Sequence, residues 1–221
     1  MRKVVVLRPE PGASATVRRA RGRGIDPVAV PLFEIEPLPW EAPDLAKFDA
    51  ILLTSANAVR SAGDQLQELR GLSVYAVGEA TAAAAREAGF DISATGADGI
   101  DRLLGSIEPD LRLLHLCGED RRHSADARQR ITAVPVYRAR LIDHPSLTAT
   151  EGAVALIHSP RAAIRFAELV KDRGSIAVVA ISRAAAEALG SGWERVEVAG
   201  QPTDDALLAL AARLCNKSAP K

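Results

Sequence analysis

Small, hydroxylic and basic side chains recur directly after short apolar runs of the sequence. They are Arg8, Thr54, Ser55, Asn57, Gly78, Thr81, Gly118, Arg122, Ser159, Arg161 and Ser182. If the apolar runs are parallel strands, these residues lie beyond the carboxyl ends of the strands, where open parallel sheets collect ligands. The helices that follow would point unpaired N–H groups and the positive end of their dipoles at the same places. The pattern predicts a site for a ligand with several negative groups.

The hydroxyl groups of this set also have a purely structural interpretation. Ser55, Thr81 and Ser159 are ordinary residues for the N-terminal cap of a helix, and capping explains any one of them alone. Anion binding is favoured by the number of such positions, since no single one of them is diagnostic.

Tyr137 is the candidate catalytic residue. It is one of only two tyrosines, and a phenol can donate a proton to a leaving group. The structural alternative is a strand tyrosine that packs its ring and leaves its hydroxyl in water.

Other site chemistries lack their sequence signatures. The chain has no G-x-x-x-x-G-K-[ST] loop and no G-x-G-x-x-G turn between a strand and a helix, so we expect no nucleotide cofactor. His115 and Cys117 can share one strand face, but two groups do not make a metal site, and packing in the core is the simpler role. Ser159 precedes proline and lacks the glycine-flanked elbow of a hydrolase nucleophile.

Eight apolar runs without alternation predict strands that are buried on both faces of a parallel sheet. They cover residues 3–7, 27–30, 50–54, 73–77, 111–117, 154–158, 176–181 and 195–198. Helical spacing in alanine- and arginine-rich stretches alternates with them, at residues 55–69, 79–88, 161–170 and 184–189. This alternation predicts an α/β fold with right-handed crossovers.

Two segments, near residues 31–38 and 134–142, interrupt the alternation of apolar strands and helices. Within them, apolar and polar residues alternate beside prolines. We interpret them as the two strands of an antiparallel linker. The prediction is two similar lobes with parallel sheets flanked by helices: a discontinuous outer lobe of residues 1–34 and 142–221, and an inserted lobe of residues 38–136. Two facing lobes would form a cleft. The alternative is a single doubly wound domain with two long loops.

Composition restricts the partners and the compartment. The 28 basic and 28 acidic residues cancel, so no broad positive field would attract nucleic acid or an anionic membrane. The two cysteines are far apart in sequence, which suits free thiols in a reducing compartment. The first residues contain an apolar run too short for a signal peptide. We therefore expect a cytoplasmic protein that binds neither nucleic acid nor a membrane. We also expect a monomer, because the sequence shows no obvious extra apolar helix face.

The order of the motifs resembles that of the uroporphyrinogen-III synthase family. The segments that carry the resemblance are Val6–Pro9, Leu53–Val59, Val77–Ala82, Leu116–Arg122, Val136–Arg138 and Pro202–Thr203. They span almost the whole chain. The sequence departs from the family at Ser182 and Ala185, where the family has glycine and threonine, and at His158, where it often has threonine.

The resemblance implies a cofactor-free lyase that closes the linear tetrapyrrole hydroxymethylbilane to uroporphyrinogen III. Tyr137 would assist the loss of water, and the residues after the strands would hold the eight carboxylates of the substrate. The alternative function is a non-catalytic two-lobed module that closes on a small polyanion. The sequence leaves open whether the protein makes a transient contact with the preceding deaminase.

Overall fold

A computed structural model describes residues 2–96, 99–120 and 127–216 of the chain. The chain divides into two compact units. The discontinuous unit consists of Met1–Glu34 and Leu141–Lys221, and the inserted unit consists of Ile35–Arg140. Each unit has its own sheet and its own hydrophobic core.

The discontinuous unit contains a five-stranded sheet in the order β11-β10-β9-β1-β2, with every neighbouring pair parallel. Its strands are β1 (Val4–Val6), β2 (Pro27–Ala29), β9 (Val154–Ile157), β10 (Ala177–Ala180) and β11 (Arg195–Val198). Its helices are α1 (Gly12–Arg21), α5 (Pro160–Leu169), α6 (Arg183–Glu187) and α7 (Asp204–Asn216). The residues of β1, β9 and β10 are all buried, as continuous apolar runs in a parallel sheet require.

The inserted unit contains a six-stranded sheet in the order β3-β8-β7-β4-β5-β6. Its strands are β3 (Phe33–Pro37), β4 (Ala50–Leu53), β5 (Ser73–Val77), β6 (Ile92–Gly96), β7 (Arg112–Gly118) and β8 (Arg130–Leu141). The first two residues of β3 and the last residue of β8 belong to the discontinuous unit. Its helices are α2 (Ala56–Ser61), α3 (Glu79–Glu87) and α4 (Ile100–Gly105), with 3₁₀ segments at Leu45–Lys47 and Asp64–Leu69. Strands β8, β7, β4, β5 and β6 are parallel, so their carboxyl ends meet at one edge.

Strands β3 and β8 carry the chain between the two units. The Leu38 N–H donates to the Val136 carbonyl and the Ile142 N–H to the Leu32 carbonyl, at 2.9 and 3.0 Å. The residue numbers therefore run in opposite directions, so the two strands are antiparallel. Strand β8 is longer than the linker strand that the sequence predicts, because its residues from Arg130 to Tyr137 also pair in parallel with β7.

The predicted α/β class, with parallel sheets flanked by helices, is confirmed. One predicted helix is wrong in extent: residues 55–69 form a short α-helix and a 3₁₀ segment. The interruption lies at Gly63, whose φ of 67° is outside the helical region. The helical spacing of the apolar residues continues through this glycine, which explains the prediction of a single helix.

None of the helices among the described residues is long and apolar enough to cross a membrane.

Candidate functional site

Seven of the predicted site residues lie at the carboxyl edge of the sheet in the inserted unit. They are Thr54, Ser55 and Asn57 after β4, Gly78 and Thr81 after β5, Gly118 at the end of β7, and Tyr137 in β8. These residues share one edge because β4, β5, β7 and β8 run in the same direction. Hydroxyl groups, glycines and the N-termini of α2 and α3 are thus neighbours on one rim.

Tyr137 is the only ionisable group of this set, and its surroundings keep it protonated. Burial raises the pKa of its phenol. The Ser55 side chain lowers this pKa by a smaller amount, and the nearby Cys117 raises it slightly. A phenol whose pKa lies above its usual value carries its proton at neutral pH. Tyr137 can therefore donate a proton but is a poor base.

Two of the residues on this rim begin helices. The Ser55 hydroxyl accepts a hydrogen bond from the Asn57 N–H at 3.2 Å and caps α2. Gly78 precedes α3 with a φ of 83°, a conformation that glycine adopts without strain, and a Cβ there would meet no atom within 4 Å. The open space over Gly78 allows a ligand to approach the backbone at the positive end of α3.

The Thr54 hydroxyl forms a hydrogen bond with a buried histidine. Thr54 Oγ1 lies 3.1 Å from His115 Nε2, and His115 is only 3% exposed. The sequence suggests a packing role for His115, and its burial agrees with that. The hydrogen bond adds a second role, since it restricts the rotation of a hydroxyl that faces the rim.

Four predicted residues lie at the carboxyl edge of the sheet in the discontinuous unit: Arg8, Ser159, Arg161 and Ser182. Ser159 caps α5 by accepting from the Ala162 N–H at 3.2 Å, and Ser182 caps α6 in the same way. The capping role that the sequence suggests for Ser159 is therefore present. A hydroxyl that accepts in a cap still has its own proton to donate.

The Arg161 guanidinium stacks on an aromatic ring of its own unit, with Cζ 4.7 Å from the centre of the Phe33 ring. Stacking orients the planar guanidinium.

Arg8 takes part in a network around the buried Asp204 that the sequence does not reveal. Its guanidinium donates to Asp204 Oδ1 at 3.2 Å, and His158 Nε2 lies 2.9 Å from the same oxygen. Thr16 and Arg19 donate to Asp204 Oδ2 at 2.7 and 3.1 Å. A single carboxylate thus joins β1, α1, the end of β9 and the start of α7.

The two central groups of this network have perturbed pKa values. For Asp204, burial opposes ionisation, but hydrogen bonds from His158 and Thr16 and the charge of Arg8 outweigh it and hold the pKa well below its usual range. Burial lowers the pKa of His158 more than the bond to Asp204 raises it. Since the ionised Asp204 only accepts, the neutral imidazole carries its proton on Nε2.

The sequence contains a weak signal for Asp204. It lies three and four residues before the buried Leu207 and Leu208, on the same face of α7, whereas the adjacent Asp205 is 72% exposed. This periodicity indicates a buried position. It does not reveal the arginine partners of Asp204, because Arg8 and Arg19 are 196 and 185 residues away in sequence.

Arg122, another predicted contact, lies outside the described residues. Within the described ranges, no group of three or more His, Cys, Asp or Glu side chains is placed to hold a metal ion.

Comparisons with known proteins identify relatives of the chain. The family described as uroporphyrinogen-III synthase HemD matches residues 14–209. A uroporphyrinogen-III synthase of Chlorobaculum parvum is 34% identical over 120 residues, which cover 49% of this chain and 48% of the relative. The match thus spans about half the length of that curated relative.

Two solved structures share the fold over nearly the whole chain. The uroporphyrinogen-III synthetase of Helicobacter pylori has a TM-score of 0.66 at 20% identity and covers 97% of this chain and 100% of its own. A mutant uroporphyrinogen III synthase of Thermus thermophilus has a TM-score of 0.57 at 18% identity, with the same two coverages. At these identities the likeness establishes the fold.

Proposed function

Because the chain belongs to the uroporphyrinogen-III synthase family, we propose that it is a lyase that closes hydroxymethylbilane to uroporphyrinogen III. The reaction loses water and inverts the last pyrrole. No cofactor takes part in this proposal. The match to the family over residues 14–209 is the observation that carries it.

The proposed reaction begins when the terminal hydroxyl of the substrate takes a proton and leaves as water. The resulting cation is stabilised by the electron-rich pyrrole. The substituted carbon of the last ring attacks it to give a spiro intermediate, which rearranges and closes with loss of a proton. Most of this reactivity belongs to the substrate, so the main task of the protein is to hold the chain in the geometry for inverted closure.

Tyr137 is the proposed donor of the first proton. Its raised pKa supports this role, because the phenol is protonated at neutral pH. The ring packs against the core of the inserted unit, which restricts the position of the hydroxyl. A donor that is fixed before the substrate binds needs no reorganisation during the reaction.

The carboxylate arms of the substrate are the proposed ligands of the two sheet edges. Hydroxyls and helix N-termini in the inserted unit, at Thr54, Ser55, Gly78 and Thr81, offer neutral donors. Arg161 in the discontinuous unit offers a charged one. Neutral N–H and O–H donors bind carboxylates in a partly buried site without a basic surface, which agrees with the balanced charge of the chain.

The isomer of the product tests the proposal. The protein is incubated with hydroxymethylbilane generated by the preceding enzyme, and the oxidised porphyrin is separated by chromatography. The type III isomer is expected. The type I isomer alone, which forms by spontaneous closure, would reject the activity and would agree with a module that only binds the substrate.

The role of Tyr137 is tested by Tyr137→Phe. Removal of the hydroxyl should lower kcat by about 100-fold, the low end of what proton donors contribute, while KM changes little. Tyr75→Phe is the matched control, because Tyr75 is the second tyrosine and lies in the same sheet. Equal kcat values for Tyr137→Phe and the wild type would reject the catalytic role.

We further propose that the protein acts in the cytoplasm as a monomer. Both cysteines are buried and neither forms a disulfide, with one in each unit, which suits a reducing compartment. Light scattering after size exclusion tests the monomer, since a dimer would double the measured mass.

A further inference from the structure

Gly118 lies directly against the ring of Tyr137. A Cβ at residue 118 would be 2.9 Å from Tyr137 Cζ and 3.1 Å from both Cε2 and the hydroxyl oxygen. Favourable contacts between carbon atoms begin at about 3.5 Å. Even the side chain of alanine would therefore overlap the part of the ring that carries the hydroxyl.

An irregularity between β7 and β8 brings these two residues together. Up to Cys117, which pairs with Pro135, each residue of β7 has one partner in β8, but Gly118 pairs with Tyr137 and skips Val136. The extra residue is a β-bulge. Beyond it, the Glu119 N–H donates to the Tyr137 carbonyl at 2.9 Å and holds the new register.

The bulge also changes the direction of the Tyr137 side chain. Side chains of consecutive residues in a regular strand point to opposite faces of the sheet. Val136 and Tyr137 are consecutive, yet both pack against the same core cluster of the inserted unit. The bulge thus turns the ring of Tyr137 onto Gly118, and the hydroxyl reaches Ser55.

We propose that Gly118 is a positioning residue. Because it has no side chain, the ring of Tyr137 can lie against it, with the hydroxyl beside Ser55 in the position from which it donates its proton to the substrate. The inference rests on the proposed function and deepens it. It differs from the role that the sequence suggests for Gly118, which is to let the substrate approach the backbone. The two roles predict different kinetics.

Gly118→Ala tests the inference. The added methyl group displaces the hydroxyl, and a displacement of about 1 Å should lower kcat by about 10- to 100-fold with little change in KM. Gly105→Ala is the matched control in the same unit, because a Cβ there meets no atom within 4 Å. It should leave both constants at wild-type values.

A double-mutant cycle separates the two roles of Gly118. In a Tyr137→Phe background there is no hydroxyl to position, so Gly118→Ala should change kcat by less than about twofold. If Gly118 serves the approach of the substrate, its replacement should raise KM equally in both backgrounds. That additive result would overturn the inference.

A stability cycle tests the geometry without any activity. Gly118→Ala should lower Tm in the wild type, whereas in a Tyr137→Leu background the smaller side chain leaves room for the methyl group and the loss should disappear. An equal loss in both backgrounds would overturn the placement of the ring. A wild type that makes only the type I isomer but passes this cycle would reject the proposed function and leave the packing of Gly118 intact.

Discussion

Replacement of Asp204 by asparagine should destabilise the discontinuous unit through the loss of one buried charge. The carboxylate is 6% exposed and has partners on α1, β1 and the end of β9. Asparagine keeps the shape but presents an amide N–H₂ in place of one oxygen, and the guanidinium groups of Arg8 and Arg19, one at each oxygen, can only donate. Whichever way the amide is turned, one arginine contact therefore becomes repulsive or remains unmade.

The expected magnitude follows from the exposure of each partner. Removal of one member of a buried charged pair costs about 3–5 kcal/mol. Arg8 and Arg19 are 36% and 56% exposed, so water replaces much of what they lose. His158 is only 7% exposed and cannot recover in this way. We expect the free energy of unfolding to fall by about 3 kcal/mol, near the lower end of the range.

Urea denaturation followed by tryptophan fluorescence measures this loss. Trp193 reports on the discontinuous unit because its ring stacks on the buried Phe166, with centroids 5.2 Å apart. A Trp40→Phe background removes the second tryptophan, which lies in the inserted unit. With an m-value of about 2 kcal/mol/M, the midpoint should fall by about 1.5 M urea.

Asp205→Asn is the matched control, since Asp205 is the next residue and pairs with Arg23 at the surface. It is 72% exposed, so its loss should cost less than about 0.5 kcal/mol. Equal midpoints for the two variants would refute the assignment of Asp204 as the centre of a buried network.

Two further predictions concern the titration of site residues. Ser55→Ala should raise the pKa of Tyr137 further, because the hydrogen bond from Ser55 lowers this pKa against the larger effect of burial. Titration of the phenol absorbance in a Tyr75→Phe background measures the pKa. A lower value in the variant would contradict the bond. His158→Gln should make stability less dependent on pH. The folded pKa of His158 is depressed, so the unfolded chain binds the proton first, and the wild type should lose stability as the pH falls below about 6.5. Urea midpoints at pH 7.5 and 5.5 measure it, and an unchanged difference between them would contradict the role of His158.

The apolar runs predict the positions of the strands well but the burial of their side chains less well. The strand at residues 73–77 has the predicted bounds, as does the one at 195–198. The second was predicted to be buried on both faces, but Val196 and Val198 are 38% and 42% exposed. Strand β11 lies at the edge of its sheet, and position in the sheet depends on pairing that no local pattern encodes.

The sequence predicts a helix boundary well where a local contact sets it. Capping serines at residues 55, 159 and 182 begin helices as their types suggest, because a cap is a contact between residues two or three apart. The break at Gly63 was missed, since glycine inside a helical pattern costs only about 1 kcal/mol and does not always end a helix.

For the candidate site, the sequence by itself determined which groups stand at the ends of the strands. Each turn from a strand into a helix is local, and parallel strands bring such turns to one edge. The tertiary structure alone decided which of these groups touch: Tyr137 on Gly118, and Arg8 with Asp204. The first contact depends on a one-residue bulge and the second on residues 196 apart. Both are consequences of how strands and helices pack, and packing is set by the whole chain at once.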